Sequence, residues 1–205
     1  MHRASAFAET DLAALDRLAA RDSFVTLITT RGDTPTASHL PVLYSRVDAR
    51  IELRGHWART NPQFRQDGAA LAIMHGPHAY ISPAWYPDKE AQARVPTWNY
   101  AVAHLHGRLT TFVDTDALAD LVAALSDHHE AAIGSDWKFE PQRESHRDQL
   151  RGIIGFRFEV DRVEMTFKLN QNHPQANRLA VAEQLEALGN ERDRHVATLM
   201  RERLD

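Results

Sequence analysis

The chain has 205 residues, 43% of them hydrophobic, with a formal net charge of −4 and no cysteine. This length and composition predict one domain with a proper core, and the lack of cysteine excludes disulfides, thiol catalysis, iron–sulfur clusters and cysteine-bound zinc. The acidic balance offers no global attraction to nucleic acid. No apolar run reaches about 20 residues and the start lacks the apolar core of a signal peptide, so we expect a soluble, cytoplasmic protein without membrane contact.

The first part of the chain predicts a helix followed by an antiparallel meander. Leu12, Leu15 and Leu18 share one helix face behind Thr10, which can cap the helix. The runs SFVTLITT, TASHLPVLY and RIELRG predict three strands, the second bent by Pro41. After the turn ARTNPQF, the runs AALAIMHG and AYIS predict two further short strands.

The second part predicts longer elements. TWNYAVAHLHGRLTTF is the longest strand signal, and DTDALADLVAALSDHHEAAI has helical spacing with a cap ahead of it. RESHRDQLRG predicts a short helix, IIGFRFEV and RVEMTFKLN two strands, and PQANRLAVAEQLEAL and ERDRHVATLMRERL two helices. Strands and helices do not alternate regularly, which argues against a doubly wound sheet. The order favours an α+β fold in which a closed or partly closed barrel removes the sheet edges.

The longest strand has two different faces. Alternation places Trp98, Tyr100, Val102, His104 and His106 on one face and small apolar residues on the other. The small face suits a core. The aromatic and imidazole face suits a ligand pocket or a protein interface. We expect a homodimer whose interface includes Trp98, Tyr100 and His104, because this face is costly to leave in water. A His-x-His metal site is the weaker interpretation, since no third ligand is marked by spacing, and we assign no metal.

Two polar segments stand at predicted strand ends. In RGHWARTNPQF, His56, Arg59 and Asn61 lie where a strand gives way to a turn, a junction that can aim N–H groups and an arginine fork at a phosphate. An arginine-rich surface turn explains the same residues. In FKLNQN, Lys168 is one of only three lysines in the chain and is followed by three amides. Turn chemistry explains the amides, and the scarce lysine favours an anion site. No P-loop, nucleophile elbow or zinc-protease motif accompanies them.

Five blocks of sequence together resemble a known family. They are ASHLPV at 37–42, GHWARTNPQ at 55–63, GPHAYISPAWY at 76–86, VPTWNYAVAHLHG at 95–107 and KLNQN at 168–172. In order and approximate spacing they are similar to the PaiB-type transcriptional regulators, also described as FMN-binding negative transcriptional regulators. The resemblance extends from about Phe7 to the helix ending near Leu188.

The resemblance implies a split β-barrel of the FMN-binding superfamily, with mostly antiparallel strands and peripheral helices. It implies a homodimer with ligand sites between subunits. We expect a single split-barrel domain over 1–188, followed by a C-terminal helical extension over 189–205 that lies beyond the resemblance. FMN is the implied cofactor. The residues implied to bind it are His39, His56, Arg59, Asn61, Trp98, Tyr100, Lys168 and Gln171. The aromatic residues between about 80 and 100 would line the flavin ring or the dimer seam, with core packing as the competing explanation.

The function implied by the resemblance is that of a dimeric regulator that senses a flavin or related ligand and represses transcription. DNA binding is implied by the resemblance only, because the chain shows no helix-turn-helix with a basic recognition helix. A flavin-dependent oxidoreductase is the alternative, and a haem-handling barrel is a third interpretation, given twelve histidines. Enzymatic activity stays an open question at this point.

Overall fold

The computed structural model describes residues 5–204. In this part of the chain, eight strands form one sheet, in the order β3-β2-β6-β7-β8-β5-β4, with β1 paired to β8. The strands are β1 Ala8–Glu9, β2 Phe24–Arg31, β3 Thr34–Pro41, β4 Leu43–Val47, β5 Arg50–Ala58, β6 Gly68–Ile81, β7 Thr97–Phe112 and β8 Ile153–Lys168. The α-helices are α1 Leu12–Arg21, α2 Thr115–Ile133, α3 Glu144–Gln149, α4 Gln175–Ala187 and α5 Glu191–Arg201. The registered pairs are antiparallel, which confirms the predicted α+β class.

Two long strands replace four predicted short ones. The expectation of separate strands AALAIMHG and AYIS is wrong, because β6 runs on through Gly76 and Pro77. Both of these residues are buried, so the inward-facing positions change phase there, as they do at a β-bulge, which also accommodates proline. β8 likewise replaces two predicted strands, with the adjacent residues Asp161 and Arg162 both exposed. In both strands the alternation of buried and exposed residues shifts by one position, and in the sequence this shift resembles the end of a strand.

The two predicted faces of β7 are confirmed. Ala101, Ala103 and Leu105 are buried, whereas the alternate residues are partly exposed. Gly107 continues the buried face, and a Cβ atom there would lie 1.9 Å from the carbonyl oxygen of Glu159. Only glycine fits this close approach of two strand backbones.

Residue contacts divide the chain into two compact units. The first unit comprises the chain up to Leu15, His75–Ala103 and the chain from Glu164 onward, and the second comprises Asp16–Met74 and His104–Val163. The boundaries fall inside α1, β6, β7 and β8.

In the first unit, α4 and α5 pack against each other. Val181 and Leu185 of α4 and Val196 and Met200 of α5 have no exposed surface. Asn190 caps α5 by accepting a hydrogen bond from Asp193 N at 2.9 Å. The final helical segment of the sequence therefore has its own buried apolar face and a defined beginning.

In the second unit, α2 covers a small core. Leu118 and Ala119 of α2 are buried with Leu150, and Phe112 and Phe139 pack against them. No helix within residues 5–204 is long and apolar enough to span a membrane.

Candidate functional site

The turn after β5 places Arg59 against the beginning of β8. Its backbone N–H donates to Gly152 O at 2.7 Å, and its side-chain Nε donates to Arg151 O at 2.7 Å. Its Nη2 donates to Ile153 O at 3.3 Å. The third guanidinium nitrogen, Nη1, has no protein acceptor among residues 5–204. Arg59 therefore ties two segments together and keeps N–H groups available for a ligand.

A cavity of about 580 Å³ opens beside Arg59 and is also lined by Arg147 and Arg151. We call it the arginine cavity. Arg147 Nη2 lies 2.7 Å from Asp116 Oδ1, and Arg151 Nη2 lies 3.2 Å from Asp148 Oδ1. These ion pairs are largely exposed, so they are weak and screened, and a phosphate dianion can compete with them. Three guanidinium groups at one cavity fit the phosphate of FMN, because the arginine fork matches phosphate oxygens.

Asn61 has a structural role at the same turn. Its Oδ1 accepts from Gln63 N at 3.0 Å, which caps the short 3₁₀ turn Pro62–Arg65, and its Nδ2 donates to Ser38 Oγ at 2.8 Å. Gln63 itself is fully buried and donates through Nε2 to Leu27 O at 3.0 Å and Thr36 O at 3.1 Å. The NPQ segment thus fixes the turn from which Arg59 projects.

The two predicted histidines of the second unit differ in environment. His56 is half-buried on β5, and burial lowers its pKa, which favours the neutral imidazole. Its Nδ1 is buried and has no hydrogen-bond partner among the described residues. His39 is exposed on β3, where its Nδ1 lies 3.0 Å from Thr26 Oγ1 and its ring stacks on Phe24 at 6.4 Å between centroids. Of the two, His56 is the one with an unmet hydrogen-bonding group.

In the first unit, an outer aromatic surface is formed by His78, Tyr80 and Trp98. The Trp98 ring lies 5.5 Å from the His78 ring and 6.3 Å from the Tyr80 ring, measured between centroids. Trp98 is 47% exposed and Tyr80 is 48% exposed. Tyr100 is half-buried on the same face of β7. Such a patch is available for a flat ligand or for a second copy of the chain.

Tyr86 belongs to the interior instead. It is 1% exposed, its ring is stacked on the His173 ring at 4.9 Å and 5°, and its hydroxyl oxygen accepts from Asn170 Nδ2 at 2.9 Å. Burial raises the pKa of the Tyr86 hydroxyl. For this residue, core packing is the correct reading of the aromatic segment.

The long loop between β6 and β7 is held by one ion pair. Arg94 Nε donates to Asp88 Oδ1 at 3.0 Å, Nη2 bonds to the other carboxylate oxygen, and Asn177 Nδ2 donates to Asp88 Oδ1 at 2.7 Å. The hydrogen bond from Arg94 lowers the pKa of Asp88 to about 2. This side-chain clamp gives the loop a defined path from Tyr86 to β7.

Lys168 and Gln171 stand at the end of β8. Lys168 Nζ donates to Trp98 O at 2.8 Å and to Thr97 Oγ1. Gln171 is used locally, since its Oε1 accepts from Leu169 N at 2.7 Å and its Nε2 donates to Phe167 O. Lys168 also lines a cavity of about 330 Å³, which we call the lysine cavity.

The predicted site residues therefore fall into two groups. The second unit holds His39, His56, Arg59 and Asn61, and the first unit holds Trp98, Tyr100, Lys168 and Gln171. Of these, Arg59 and Lys168 line the cavities described above. Asn61 and Gln171 have their side-chain amides engaged within the protein.

The sequence matches a family described as "Putative FMN-binding domain" over residues 1–162. The chain belongs to this FMN-binding family. The chain is also 33% identical over 189 residues to the Protease synthase and sporulation protein PAI 2 of Bacillus subtilis (strain 168), an alignment that covers 89% of this chain and 88% of that protein. The PaiB-type resemblance of the five sequence blocks is thereby confirmed.

Solved structures agree with this family in fold. The FAD and Heme binding protein from Mycobacterium smegmatis superposes with a TM-score of 0.56 at 17% identity, over 78% of this chain and 73% of that one. The flavocytochrome Anf3 from Azotobacter vinelandii superposes with a TM-score of 0.58 at 11% identity, over 82% and 72%. The split-barrel fold expected from the sequence is confirmed. The match to this family supports FMN as the cofactor.

Three residues of these regions were not predicted as important. Gln63 lies in the block GHWARTNPQ that carries the resemblance, but its burial was not predicted, because a glutamine in a turn is ordinarily a surface residue. His173 contacts Tyr86, which is distant in sequence, and Arg94 contacts Asp88 within the same loop. No periodic pattern of the sequence links either residue to its partner. A basic residue near the end of a long loop was the only sign of Arg94.

Proposed function

We propose that this protein is an FMN-binding repressor of transcription that acts as a homodimer. The observation that carries the FMN assignment is the arginine cavity, where Arg59 keeps N–H groups without protein acceptors beside Arg147 and Arg151. A phosphate bound there would accept charge-assisted hydrogen bonds. The similarity to the Bacillus subtilis protein, named for protease synthesis and sporulation, supports the regulatory role.

In this proposal Arg59 and Arg147 hold the phosphate, and Asn61 fixes the turn that carries Arg59. FMN, when bound, supplies a flat, redox-active ring. The assignment of Trp98 and Tyr100 to that ring stays a prediction. Their exposed face also suits the seam of a dimer, because a contiguous aromatic patch is costly to leave in water.

The test of the cofactor assignment is a fluorescence-quenching titration with FMN and with riboflavin, which lacks the phosphate. Arg59→Ala should weaken FMN binding by roughly 10- to 150-fold, because a hydrogen bond to a charged group is typically worth about 1.5–3 kcal/mol. The affinity for riboflavin should stay nearly unchanged. Arg147→Ala should act in the same direction without removing bonds to backbone carbonyls. Arg143→Ala, an exposed arginine that does not line the cavity, is the matched control.

Equal losses for FMN and riboflavin in Arg59→Ala would show that Arg59 acts on the fold rather than on the phosphate. Failure of the wild type to bind either ligand would refute the flavin assignment. The absorption spectrum of freshly purified protein gives a further reading, because flavin bands, a Soret band and a colourless preparation correspond to different cofactor chemistry.

The dimer and the DNA contact have separate tests. Light scattering should report about twice the 23.2 kDa chain mass. Because the net charge is −4, any direct DNA contact relies on local arginine clusters and should weaken steeply with salt in mobility-shift titrations. Tight, salt-insensitive binding to one DNA sequence would contradict this account of repression.

A further inference from the structure

The lysine cavity lies in the first unit, between the end of the β6–β7 loop and the end of β8. Its volume of about 330 Å³ is in the range of small-molecule sites. The residues that line it are Gln92, Ala93, Arg94, Val95, Pro96, Thr97, Lys168, Asn170, Asn172 and His173. Two of them, Arg94 and Lys168, are basic and three are amides.

No carboxylate lines the lysine cavity, and this distinguishes it from the other cavities described for residues 5–204. The arginine cavity includes Glu144 and Asp148. A cavity beside α1 includes Asp16, and one beside α2 includes Asp120 and Glu159. Among these four cavities, the lysine cavity is therefore the one without an acid in its wall. Arg94 is paired with Asp88 outside the wall, so the charge of Lys168 is the one without a carboxylate partner among the described residues.

The ammonium group of Lys168 has only neutral protein partners. It donates two hydrogen bonds, to Trp98 O at 2.8 Å and to Thr97 Oγ1, and an ammonium has three hydrogens. Among the residues that the structure describes, no carboxylate forms an ion pair with it. Burial without a counter-charge lowers the pKa of Lys168. An anion in the cavity would supply both the third acceptor and the missing counter-charge.

Two further groups in the wall have unused hydrogen-bonding capacity. The Nδ1 atom of His173 is buried and has no partner in the described part of the chain. Burial, followed by the charge of Arg94, lowers the pKa of His173, so the ring is neutral near pH 7 and can donate one hydrogen bond. Arg94 uses Nε and Nη2 on Asp88, which leaves Nη1 without an acceptor within residues 5–204. The clamp with Asp88 also holds the Arg94 guanidinium in place before a ligand arrives.

A purely structural role for Lys168 would be to tie the beginning of β7 to the end of β8. That role accounts for the two bonds to Thr97 and Trp98. It does not account for the absence of acids from the wall, for the buried Nδ1 of His173 or for the spare nitrogen of Arg94. An oxyanion in the cavity would supply a counter-charge for Lys168 and an acceptor for N–H groups of the wall.

We infer that the lysine cavity is a binding site for a small molecule through its oxyanion group, a phosphate or a carboxylate, held by Lys168 with Arg94, in a wall that also includes His173. The inference does not depend on the arginine cavity. Two sources share this chemistry, a separate small anion and the phosphate of FMN itself, and the experiment separates them.

The experiment is calorimetric titration of the whole chain with inorganic phosphate and with acetate, at constant ionic strength. Wild type should bind one of the two with a Kd on the order of 1 mM or tighter. Asn172→Asp adds a carboxylate to the wall at an exposed position and should weaken binding by about tenfold or more through repulsion. Gln142→Glu makes the same change in net charge at an exposed position outside the cavity and should leave binding unchanged. Lys168→Met should behave as Asn172→Asp does.

Equal affinities in wild type, Asn172→Asp and Gln142→Glu would overturn the inference, as would equal weakening in both acidic variants or no binding by wild type up to about 50 mM. FMN then identifies the source. If FMN displaces the anion from wild type and riboflavin does not, the oxyanion is the flavin phosphate. If FMN binds without displacing the anion, the cavity takes a separate ligand. Both results retain the site, and the second leaves the arginine cavity as the place for FMN.

Discussion

Tyr86 and Trp98 come from the same aromatic segment of the sequence and have opposite surroundings in the first unit. Tyr86 is enclosed, stacked on His173 and bonded to Asn170, whereas Trp98 shares an outer surface with Tyr80. The difference arises from position within elements. Trp98 takes the outward phase of β7, and Tyr86 follows the short 3₁₀ turn Pro83–Trp85, which directs it inward.

The comparison shows that aromatic composition alone does not mark a ligand wall. An enclosed aromatic ring contributes to folding, and an exposed one is available for binding. The stability of the chain should therefore depend strongly on the ring of Tyr86 and weakly on that of Trp98. Four measurements test this, in order of decreasing expected effect.

Removal of the enclosed ring should have the largest effect. Tyr86→Ala leaves a cavity against His173 and should lower the free energy of unfolding by about 3–5 kcal/mol, the usual cost of deleting a buried aromatic side chain. Urea denaturation followed by circular dichroism measures this. A loss no larger than that of Trp98→Ala would erase the distinction between the two rings.

Removal of only the enclosed hydroxyl should have an intermediate effect. Tyr86→Phe keeps the stacked ring but leaves the buried Asn170 Nδ2 without its acceptor, at a cost of about 1–2 kcal/mol. Tyr80→Phe, which removes a hydroxyl from the outer surface, serves as the control and should change stability by less than about 0.5 kcal/mol. Equal stabilities of the two variants would show that the bond from Asn170 contributes nothing.

The stacked partner of Tyr86 should give the chain an acid-sensitive stability of smaller size. Because burial lowers the pKa of His173 in the folded state, the unfolded chain takes up the proton first, and stability should fall as pH drops from about 6.5 through the folded pKa. Asp88, with a pKa of about 2, does not titrate in this window. His173→Gln should show a shallower decline between about pH 7 and pH 5, and a decline as steep as that of wild type would exclude His173 as a source.

The exposed ring should matter least for folding. Trp98→Ala should change the free energy of unfolding of the chain by about 0.5 kcal/mol or less. Its effect should appear instead in light scattering, where the mass should move toward that of a single 23.2 kDa chain at low concentration. An unchanged dimer would remove Trp98 from the proposed seam.

Much of the fold could be predicted because its elements are regular. β7 has one face of small apolar residues, and its predicted span agrees with the observed one. α2 begins at an Asp114 cap and ends at Gly134, both visible in the sequence. The strand ends predicted near Gly76 and Asp161 were wrong, because a phase change within a strand and a turn share the same local residues.

Less of the candidate site could be predicted, because residue type does not reveal which bonds a side chain already makes. Asn61 and Gln171 looked like ligand contacts, but their amides are used on Ser38 and on backbone groups near the end of β8. Arg59 and Lys168 have N–H groups without acceptors among residues 5–204, and this is visible only once their neighbours in the folded structure are known. The resemblance to a family could indicate the regions but not this difference.

The adjacent buried residues Gly76 and Pro77 change which positions of β6 face the interior. Ahead of the pair, Met74 faces inward from an even-numbered position, and beyond it Ile81 faces inward from an odd-numbered one. Deletion of one residue here would rotate the end of the strand, turning Tyr80 inward and Ile81 toward solvent. The outer aromatic surface thus depends on the one-residue phase change at Gly76 and Pro77 as much as on its own aromatic side chains. A relative without the extra residue would keep the aromatic residues of β6 but would direct Tyr80 inward.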